Sequence, residues 1–305
     1  MSREVRACVR DILIRAIAAD GAVLACAAIT TGVTEEARAR HGTLPTATAA
    51  LGRGLVAAAM LGSGLKGGQT VMLRVLGDGP LGPMISESTA DGALRGYVTN
   101  PKTDLPPTAT RKLDVGGAVG RRGTFHVTRD LGLREPYQGS VPLVSGEIGE
   151  DLAAYLVSSE QVPSVVAVGV LVGPHLGVLA SGGLLLQVMP GAPASIPGYL
   201  EERAGVLPAV TQMVSGGATP DEMLRQALGT LPVSVLERRA VRFACRCSTQ
   251  KVADVIAALG RDEADRLIRE ESRVEVQCRF CGERYIFGAV DVEMIFSTTP
   301  DGAPD

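Results

Sequence analysis

Short apolar runs separated by turn residues occupy the chain between residues 70 and 100. The runs are TVMLRVL (70–76), PMISES (83–88) and RGYVTN (95–100). Between them stand Gly77-Asp78-Gly79-Pro80 and Asp91-Gly92, and glycine next to aspartate or proline marks tight turns. This pattern predicts three antiparallel strands joined by short turns.

Helical patterns lie on both sides of these strands. Residues 45–65 are rich in alanine and leucine, which predicts a helix buried against a sheet. Thr34–Arg38 predicts the charged start of another helix, and residues 148–157 predict a helix with Ser145 as its cap. Residues 123–129 predict a further strand. Because helices and strands mix without a regular strand–helix–strand repeat, we predict an α+β fold.

Residues 161–200 contain no charged side chain, so this stretch needs to be tested as a membrane span. Gly173-Pro174-His175 and Gly182-Gly183 divide it into short apolar runs rich in valine and leucine. A spanning helix needs about 20 mostly uninterrupted apolar residues. The pattern therefore predicts buried strands in a hairpin and no membrane span.

Proline and glycine at 190–193 and 196–198 mark a domain boundary. Beyond it, residues 198–239 predict a string of short amphipathic helices. Thr219-Pro220-Asp221-Glu222 marks one helix start, with a hydroxyl cap, a proline and two acids. Helices of about ten residues are unstable alone, so we expect this arm to be docked on the core. The apolar positions at helical spacing are Leu207, Val210, Met213, Val214, Met223, Leu224, Ala227 and Leu228.

Composition and charge narrow the classes of function. The chain has 305 residues, 46% of them hydrophobic, and a net charge of -3. The length suffices for about two domains, and the charge excludes a protein that mainly coats nucleic acid. The N-terminus is interrupted by charges and has no apolar signal-peptide core, so we expect a cytoplasmic protein.

Four of the six cysteines fall in the last 61 residues, as a CxC pair, Cys245 and Cys247, and a CxxC pair, Cys278 and Cys281. In a reducing compartment, clustered cysteines are typical of metal sites. Four thiolates from two short turns can complete the tetrahedral shell of one Zn²⁺. Between the pairs, the sequence predicts a helix whose apolar stripe ends at Gly260, followed by a strand over 273–277. The stripe consists of Val252, Val255, Ile256 and Leu259.

The spacing of these cysteines leaves the role of the zinc open. Residues 241–290 carry nine basic and eight acidic side chains, which disfavours a nucleic-acid ribbon. Four thiolates close the shell, which disfavours catalysis at the metal. A passive structural ribbon and a redox switch remain, and spacing alone favours the ribbon. In a switch, Cys245 could pair with Cys247 and Cys278 with Cys281, and losing the ion would unfold the domain.

The other two cysteines, Cys8 and Cys26, are predicted to be ordinary thiols. Cys26 lies in the apolar run AVLACAAI, where a small buried side chain is expected.

Motifs across nearly the whole chain match one known family. They are RHGTLPTATAALGR (40–53), GDGPLGPM (77–84), ADGALRGYVTNP (90–101), DLGLREPYQGSVPLVSGEIGEDLAAY (130–155), LLLQVMPGA (184–192) and the two cysteine pairs within RFACRCS and CRFCGERYIF. On these motifs the chain resembles the redox-regulated thirty-three-kilodalton heat-shock chaperones of bacteria.

The resemblance implies three parts, namely an α+β domain (1–189), a helical linker (190–240) and a zinc-binding domain (241–305). It implies that Cys245, Cys247, Cys278 and Cys281 bind one Zn²⁺ in a reduced, inactive form. Oxidants would convert them to two disulfides and release the zinc, after which the linker and the zinc domain unfold.

The resemblance also implies a function. The protein would be a holdase and not an enzyme, with no nucleic-acid partner. It would form a homodimer when oxidised and hold unfolding client proteins without ATP. We expect the released linker to contact clients through Leu207, Val210, Met213, Leu224 and Leu228. The alternative is a non-chaperone regulatory protein or enzyme in which the zinc ribbon is passive.

Overall fold

The computed structural model describes residues 11–298. The chain divides into two compact units, with the boundary between Ala244 and Cys245. The strands of the first unit are β1 (Ile12–Ala18), β2 (Val23–Ile29), β3 (Thr70–Gly77), β4 (Met84–Thr89), β5 (Ala93–Val98), β6 (Gly123–Asp130), β7 (Tyr137–Pro142), β8 (Ser164–Val172), β9 (Val178–Val188), β10 (Val233–Ala240) and β11 (Arg242–Phe243). Its α-helices are α1 (Thr31–His41), α2 (Pro45–Leu61), α3 (Val115–Val119), α4 (Ile148–Ser158), α5 (Ser195–Val206), α6 (Val210–Ser215) and α7 (Pro220–Leu228).

These strands form two sheets, which confirms the α+β fold class. One sheet is antiparallel, in the order β10-β1-β2-β9-β8. The other has the order β11-β5-β4-β3-β6-β7 and is antiparallel except for the β11–β5 pair. The predicted turn-linked strands are β3, β4 and β5, which are neighbours in this second sheet.

Helix α2 fills the main core, as its apolar sequence predicts. It contacts strands of both sheets, and of its 17 residues only Pro45 and Arg53 are not buried. A side chain at Gly54 would place its Cβ 2.8 Å from Ser86 Oγ, so glycine lets the helix approach the sheet closely. The α-helical part ends at Leu61, and Gly62–Gly64 forms a single 3₁₀ turn before the next strand.

Two predicted helix starts need correction. Helix α1 begins at Thr31, not at Thr34, because the carboxylate of Asp11 accepts the backbone N–H groups of Gly32 and Val33. Ser145 does not cap α4, since its hydroxyl accepts the N–H of Glu147, which precedes the helix. A distant residue, Asp11, sets the start of α1, whereas a local hydrogen bond within the preceding turn uses the hydroxyl of Ser145.

The uncharged stretch forms the hairpin β8–β9, as predicted, with its turn at 173–177. The expected break at Gly182-Gly183 is wrong, because β9 runs through both glycines. A Cβ at Gly182 would lie 2.6 Å from the carbonyl oxygen of Ala28, and one at Gly183 would lie 2.5 Å from Val56 Cγ1. The glycines therefore permit close packing within a continuous strand. No helix among the described residues is long and apolar enough to cross a membrane.

Helices α5, α6 and α7 cover the second face of the five-stranded sheet. Together with β1, β2 and β9 they form an apolar cluster separate from the main core. Helix α7 starts as predicted, since Thr219 and Glu222 form a reciprocal capping box with Pro220 in the first turn. The expected helix over 233–239 is wrong, because this segment is β10, which pairs with β1. Its side chains alternate between half-buried and exposed from Leu236 to Ala240, and the half-buried ones include Glu237 and Arg239.

The second unit contains α8 (Thr249–Leu259), α9 (Arg261–Glu271), β12 (Val274–Gln277), β13 (Arg284–Phe287) and α10 (Ala289–Thr298). Strands β12 and β13 form an antiparallel hairpin. The predicted stripe on α8 is only half correct. Val252 and Ile256 are buried, whereas Val255 and Leu259 are 61% and 50% exposed. The small unit covers one narrow side of the helix, and spacing alone does not show how wide the covered side is.

Candidate metal centre

The four C-terminal cysteines converge on one point of the second unit. Cys245 and Cys247 precede α8, and Cys278 and Cys281 lie in the turn between β12 and β13. All four Sγ atoms lie within 4.8 Å of one another. The separation is 3.4 Å between Cys247 and Cys281 and 3.7 Å between Cys245 and Cys278.

The CxxC pair is shaped by the hairpin that carries it. The N–H of Cys278 donates to the carbonyl of Glu283 at 2.9 Å, and the N–H of Gly282 donates to the carbonyl of Cys278 at 2.8 Å. Gly282 has a φ of 73°, a left-handed conformation that favours glycine. This tight turn directs both sulfurs to the same side of the hairpin.

The CxC pair is held by the start of α8. Ser248 caps this helix, and its hydroxyl accepts the N–H of Lys251 at 3.3 Å. The ammonium group of Lys251 donates back to the carbonyl of Arg246 at 2.8 Å. The residue between the two cysteines is thereby tied to the first turn of the helix.

Burial of the sulfurs has an electrostatic consequence. Desolvation raises the pKa values of Cys281 and Cys278, although backbone N–H groups of the turn oppose the shift in both. The thiols of Cys278 and Cys281 thus resist becoming thiolates unless a cation compensates the charge. A divalent ion reverses this balance, because thiolates are its preferred ligands.

The donor set fits a tetrahedral metal ion. Four sulfurs at a metal–sulfur distance of about 2.3 Å stand about 3.8 Å from one another. The two separations of 3.4 and 3.7 Å and the overall limit of 4.8 Å bracket this value. Four protein ligands leave no coordination position for a substrate, so the geometry is that of a structural site.

Sequence reasoning missed one polar group at this centre. The O–H of Tyr285 donates to Cys247 Sγ at 3.1 Å, and this hydrogen bond raises the tyrosine pKa. Tyr285 belongs to β13 and stands opposite Val276. The motif CRFCGERYIF contains this tyrosine, but its side-chain direction depends on the register of the hairpin.

Four of the five residues expected to contact clients are buried in this conformation, and the fifth is partly buried. Val210, Met213, Leu224 and Leu228 lie in the apolar cluster between the arm helices α5–α7 and the five-stranded sheet, and Leu207 packs against this cluster. Leu207 follows the end of α5 and does not belong to α6. Cys26 is buried in the main core, as predicted, and burial raises its pKa to about 12. Cys8 lies outside the described residues.

Comparison with known proteins assigns the chain to a family. The family model described as "Hsp33 protein" matches residues 11–288. The chain belongs to the Hsp33 family. The "33 kDa chaperonin" of Desulforamulus reducens is 45% identical over 286 residues, covering 94% of this chain and 97% of the relative. The protein of the same name from Bacillus cytotoxicus is 45% identical over 289 residues, covering 95% and 99%.

A solved structure of an Hsp33 homologue supports the same assignment. The crystal structure of the 33 kDa chaperonin from Thermotoga maritima matches with a TM-score of 0.88 and 33% sequence identity. The match covers 96% of this chain and 100% of that one. The family resemblance expected from the sequence motifs is therefore confirmed.

Proposed function

We propose that this Hsp33-family protein is a redox-regulated chaperone that binds unfolding proteins without ATP. In the reduced state, Cys245, Cys247, Cys278 and Cys281 bind one Zn²⁺ and the protein is inactive. The observation that carries the proposal is the convergence of four sulfurs in a unit with a small apolar core. The protein works in the cytoplasm as a binding protein and not as an enzyme.

The size of the second unit's core makes its fold dependent on the metal. Its cluster of buried residues is small compared with the clusters of the first unit, and it consists of Val252, Ile256, Ala264, Val274, Phe287 and Val292. Metal binding in small zinc domains is worth on the order of 10 kcal/mol or more, which is comparable to the stability of a whole domain. Loss of the ion is therefore expected to unfold this unit.

Oxidation supplies the trigger. Two thiolates and one hydrogen peroxide, with two protons from solvent, give one disulfide and two waters. The two disulfides are Cys245–Cys247 and Cys278–Cys281. The shortest sulfur contacts join the other pairs, but all four sulfurs are within reach of one another. Sequence neighbours stay close after the unit unfolds, whereas partners more than 30 residues apart separate.

The helical arm supplies the client surface. Its three helices are at most 12 residues long and bury apolar side chains by packing on the sheet and on one another. Unfolding of the unit that follows in the chain releases the arm, and clients then bind Leu207, Val210, Met213, Leu224 and Leu228. The oxidised protein forms a homodimer, which enlarges this surface.

The proposal is tested by treating zinc-loaded protein with hydrogen peroxide at raised temperature, or with hypochlorite. Free thiols, released zinc and suppression of the aggregation of a heat-denatured client are followed together. We expect loss of four thiols, release of one zinc per chain and a gain in aggregation suppression. Zinc that stays bound, or leaves without any such gain, would favour a passive ribbon in a non-chaperone protein.

A further inference from the structure

The hydroxyl group of Tyr285 lies beside one of the four cysteine sulfurs. Its O–H donates to Cys247 Sγ across 3.1 Å. The ring packs against the apolar core of the second unit, and the residue pairs with Val276 across the hairpin. The position of the hydroxyl is therefore fixed by the hairpin and the core as well as by the hydrogen bond.

We propose that Tyr285 is a positioning residue that slows the oxidation of Cys247 and so raises the amount of oxidant needed for activation. The inference rests on the proposed function, because it takes the sulfur to be a metal-bound thiolate. Such a sulfur is already deprotonated, so the hydrogen bond does not change the amount of thiolate. It withdraws electron density from the sulfur, and a less basic thiolate is a weaker nucleophile.

The step that Tyr285 slows is the attack of the Cys247 sulfur on hydrogen peroxide. The sulfur lone pair forms an S–O bond while the O–O bond breaks, which leaves a sulfenic acid and a hydroxide ion. A second cysteine thiolate then attacks the sulfenic sulfur, forms the S–S bond and displaces a second hydroxide. Solvent protonates both hydroxides to water, so one peroxide is reduced and two thiolates are oxidised.

The size of the effect follows from the hydrogen bond. A bond to a charged acceptor is stronger than one between neutral groups, and about half of the change in basicity appears in thiolate reactivity. Removal of the hydroxyl is expected to accelerate attack at Cys247 by about three- to tenfold.

The variant Tyr285→Phe removes only the hydroxyl and keeps the ring in the core. The matched control is Tyr137→Phe, which removes the hydroxyl from an exposed tyrosine of the first unit. Zinc-loaded proteins are treated with limiting hydrogen peroxide in the presence of dimedone, which traps sulfenic acids, and are then digested with trypsin. Arg246 and Arg279 separate the members of each pair, so each cysteine lies on its own peptide, namely FACR, CSTQK, VEVQCR or FCGER.

We expect dimedone labelling of CSTQK to rise about three- to tenfold in Tyr285→Phe, with unchanged zinc content before oxidation. Labelling in Tyr137→Phe should equal that of the wild type. Equal labelling of CSTQK in wild type and Tyr285→Phe overturns the inference. So does zinc loss before oxidant is added, with equal acceleration at all four cysteines, because this indicates only a structural role for Tyr285.

The two proposals fail in different ways. Faster labelling of Cys247 without any aggregation suppression by the oxidised protein refutes the chaperone function and keeps the role of Tyr285. Aggregation suppression with unchanged Cys247 labelling refutes the role of Tyr285 alone.

Discussion

The two compact units are stabilised by different means. The first buries α2 between two sheets and adds a second apolar cluster under the helical arm. The second, in the part up to residue 298 that the structure describes, has a short hairpin, three helices and a small buried cluster. Its four cysteines meet at one point, whereas Cys26 of the first unit is a core residue. A large core makes a fold independent of ligands, while a small core joined to a metal centre ties the fold to the chemistry of the sulfurs.

The largest expected effect comes from breaking the metal centre. Cys281→Ser removes the buried cysteine of the four, and metal binding in small zinc domains is worth on the order of 10 kcal/mol. Limited proteolysis should cut the second unit of this variant and leave the first intact. The matched control, Cys26→Ser, places a hydroxyl in the core, costs about 1–3 kcal/mol and leaves the second unit resistant. If the second unit of Cys281→Ser resists the protease, its fold does not depend on the metal, which contradicts the contrast between the two units.

A smaller effect on the free energy of unfolding is expected when a leucine in each unit is replaced by alanine. Leu228 of α7 is fully buried in the arm cluster, so Leu228→Ala should lower the free energy of unfolding by about 2–5 kcal/mol. Leu259 of α8 is 50% exposed, and Leu259→Ala should cost less than about 1 kcal/mol. Urea unfolding of reduced, zinc-loaded protein measures both values. Equal losses would show that the arm is not docked through its apolar face.

Removing the capping box of α7 tests the stability of one helix of the arm without changing its buried apolar side chains. Thr219→Ala removes the hydroxyl that accepts the N–H of Glu222 and should cost about 1 kcal/mol. Hydrogen exchange of the first-turn amides of α7 should rise correspondingly. In the second unit, Gln250→Ala, also near a helix start but not at its cap, serves as the control and should have little effect. No change in α7 exchange would show that packing alone holds the helix start.

The smallest effect concerns the pH dependence of the first unit. Burial raises the pKa of Asp151, whose second carboxylate oxygen has no hydrogen-bond partner among residues 11–298. A carboxyl with a raised folded pKa contributes stability that is complete below its unfolded pKa, about 3.9, and is lost as the pH rises through the folded value. Asp151→Asn should therefore be more stable than wild type by up to about 1 kcal/mol at pH 7. Urea titrations should show this difference in stability vanish near pH 4. A difference that grows as the pH falls would contradict a raised pKa of Asp151 in the folded protein.

Much of the fold and of the candidate site was predictable from local signals. The cysteine spacing identified the four sulfurs that converge, and Thr219-Pro220-Asp221-Glu222 identified the start of α7. The buried character of α2 followed from its alanine- and leucine-rich sequence. The capping box of α7 lies within four residues, so the local sequence contains it. The cysteine pairs and the apolar composition of α2 were recognisable as patterns, although the contacts that they make join residues distant in sequence.

The features that escaped prediction depend on residues distant in sequence. Asp11 caps α1 from 21 residues away, and β10 joins a sheet through its pairing with β1, more than 200 residues earlier. The contact of Tyr285 with Cys247 depends on hairpin register and spans 38 positions. Gly182 was predicted to end a strand because glycine often interrupts strands. Here its lack of a side chain lets the carbonyl oxygen of Ala28 approach closely.

Hydrogen exchange followed by mass spectrometry tests the central claim most directly, because it reports on each unit separately within the full chain. Zinc-loaded protein is compared before and after peroxide treatment. We predict that amides of α8, α9, β12, β13 and α10 lose protection when zinc leaves, while those of α2 and of the sheet strands β2, β3 and β9 keep it. A second unit that remains protected after complete oxidation and zinc loss would contradict the account.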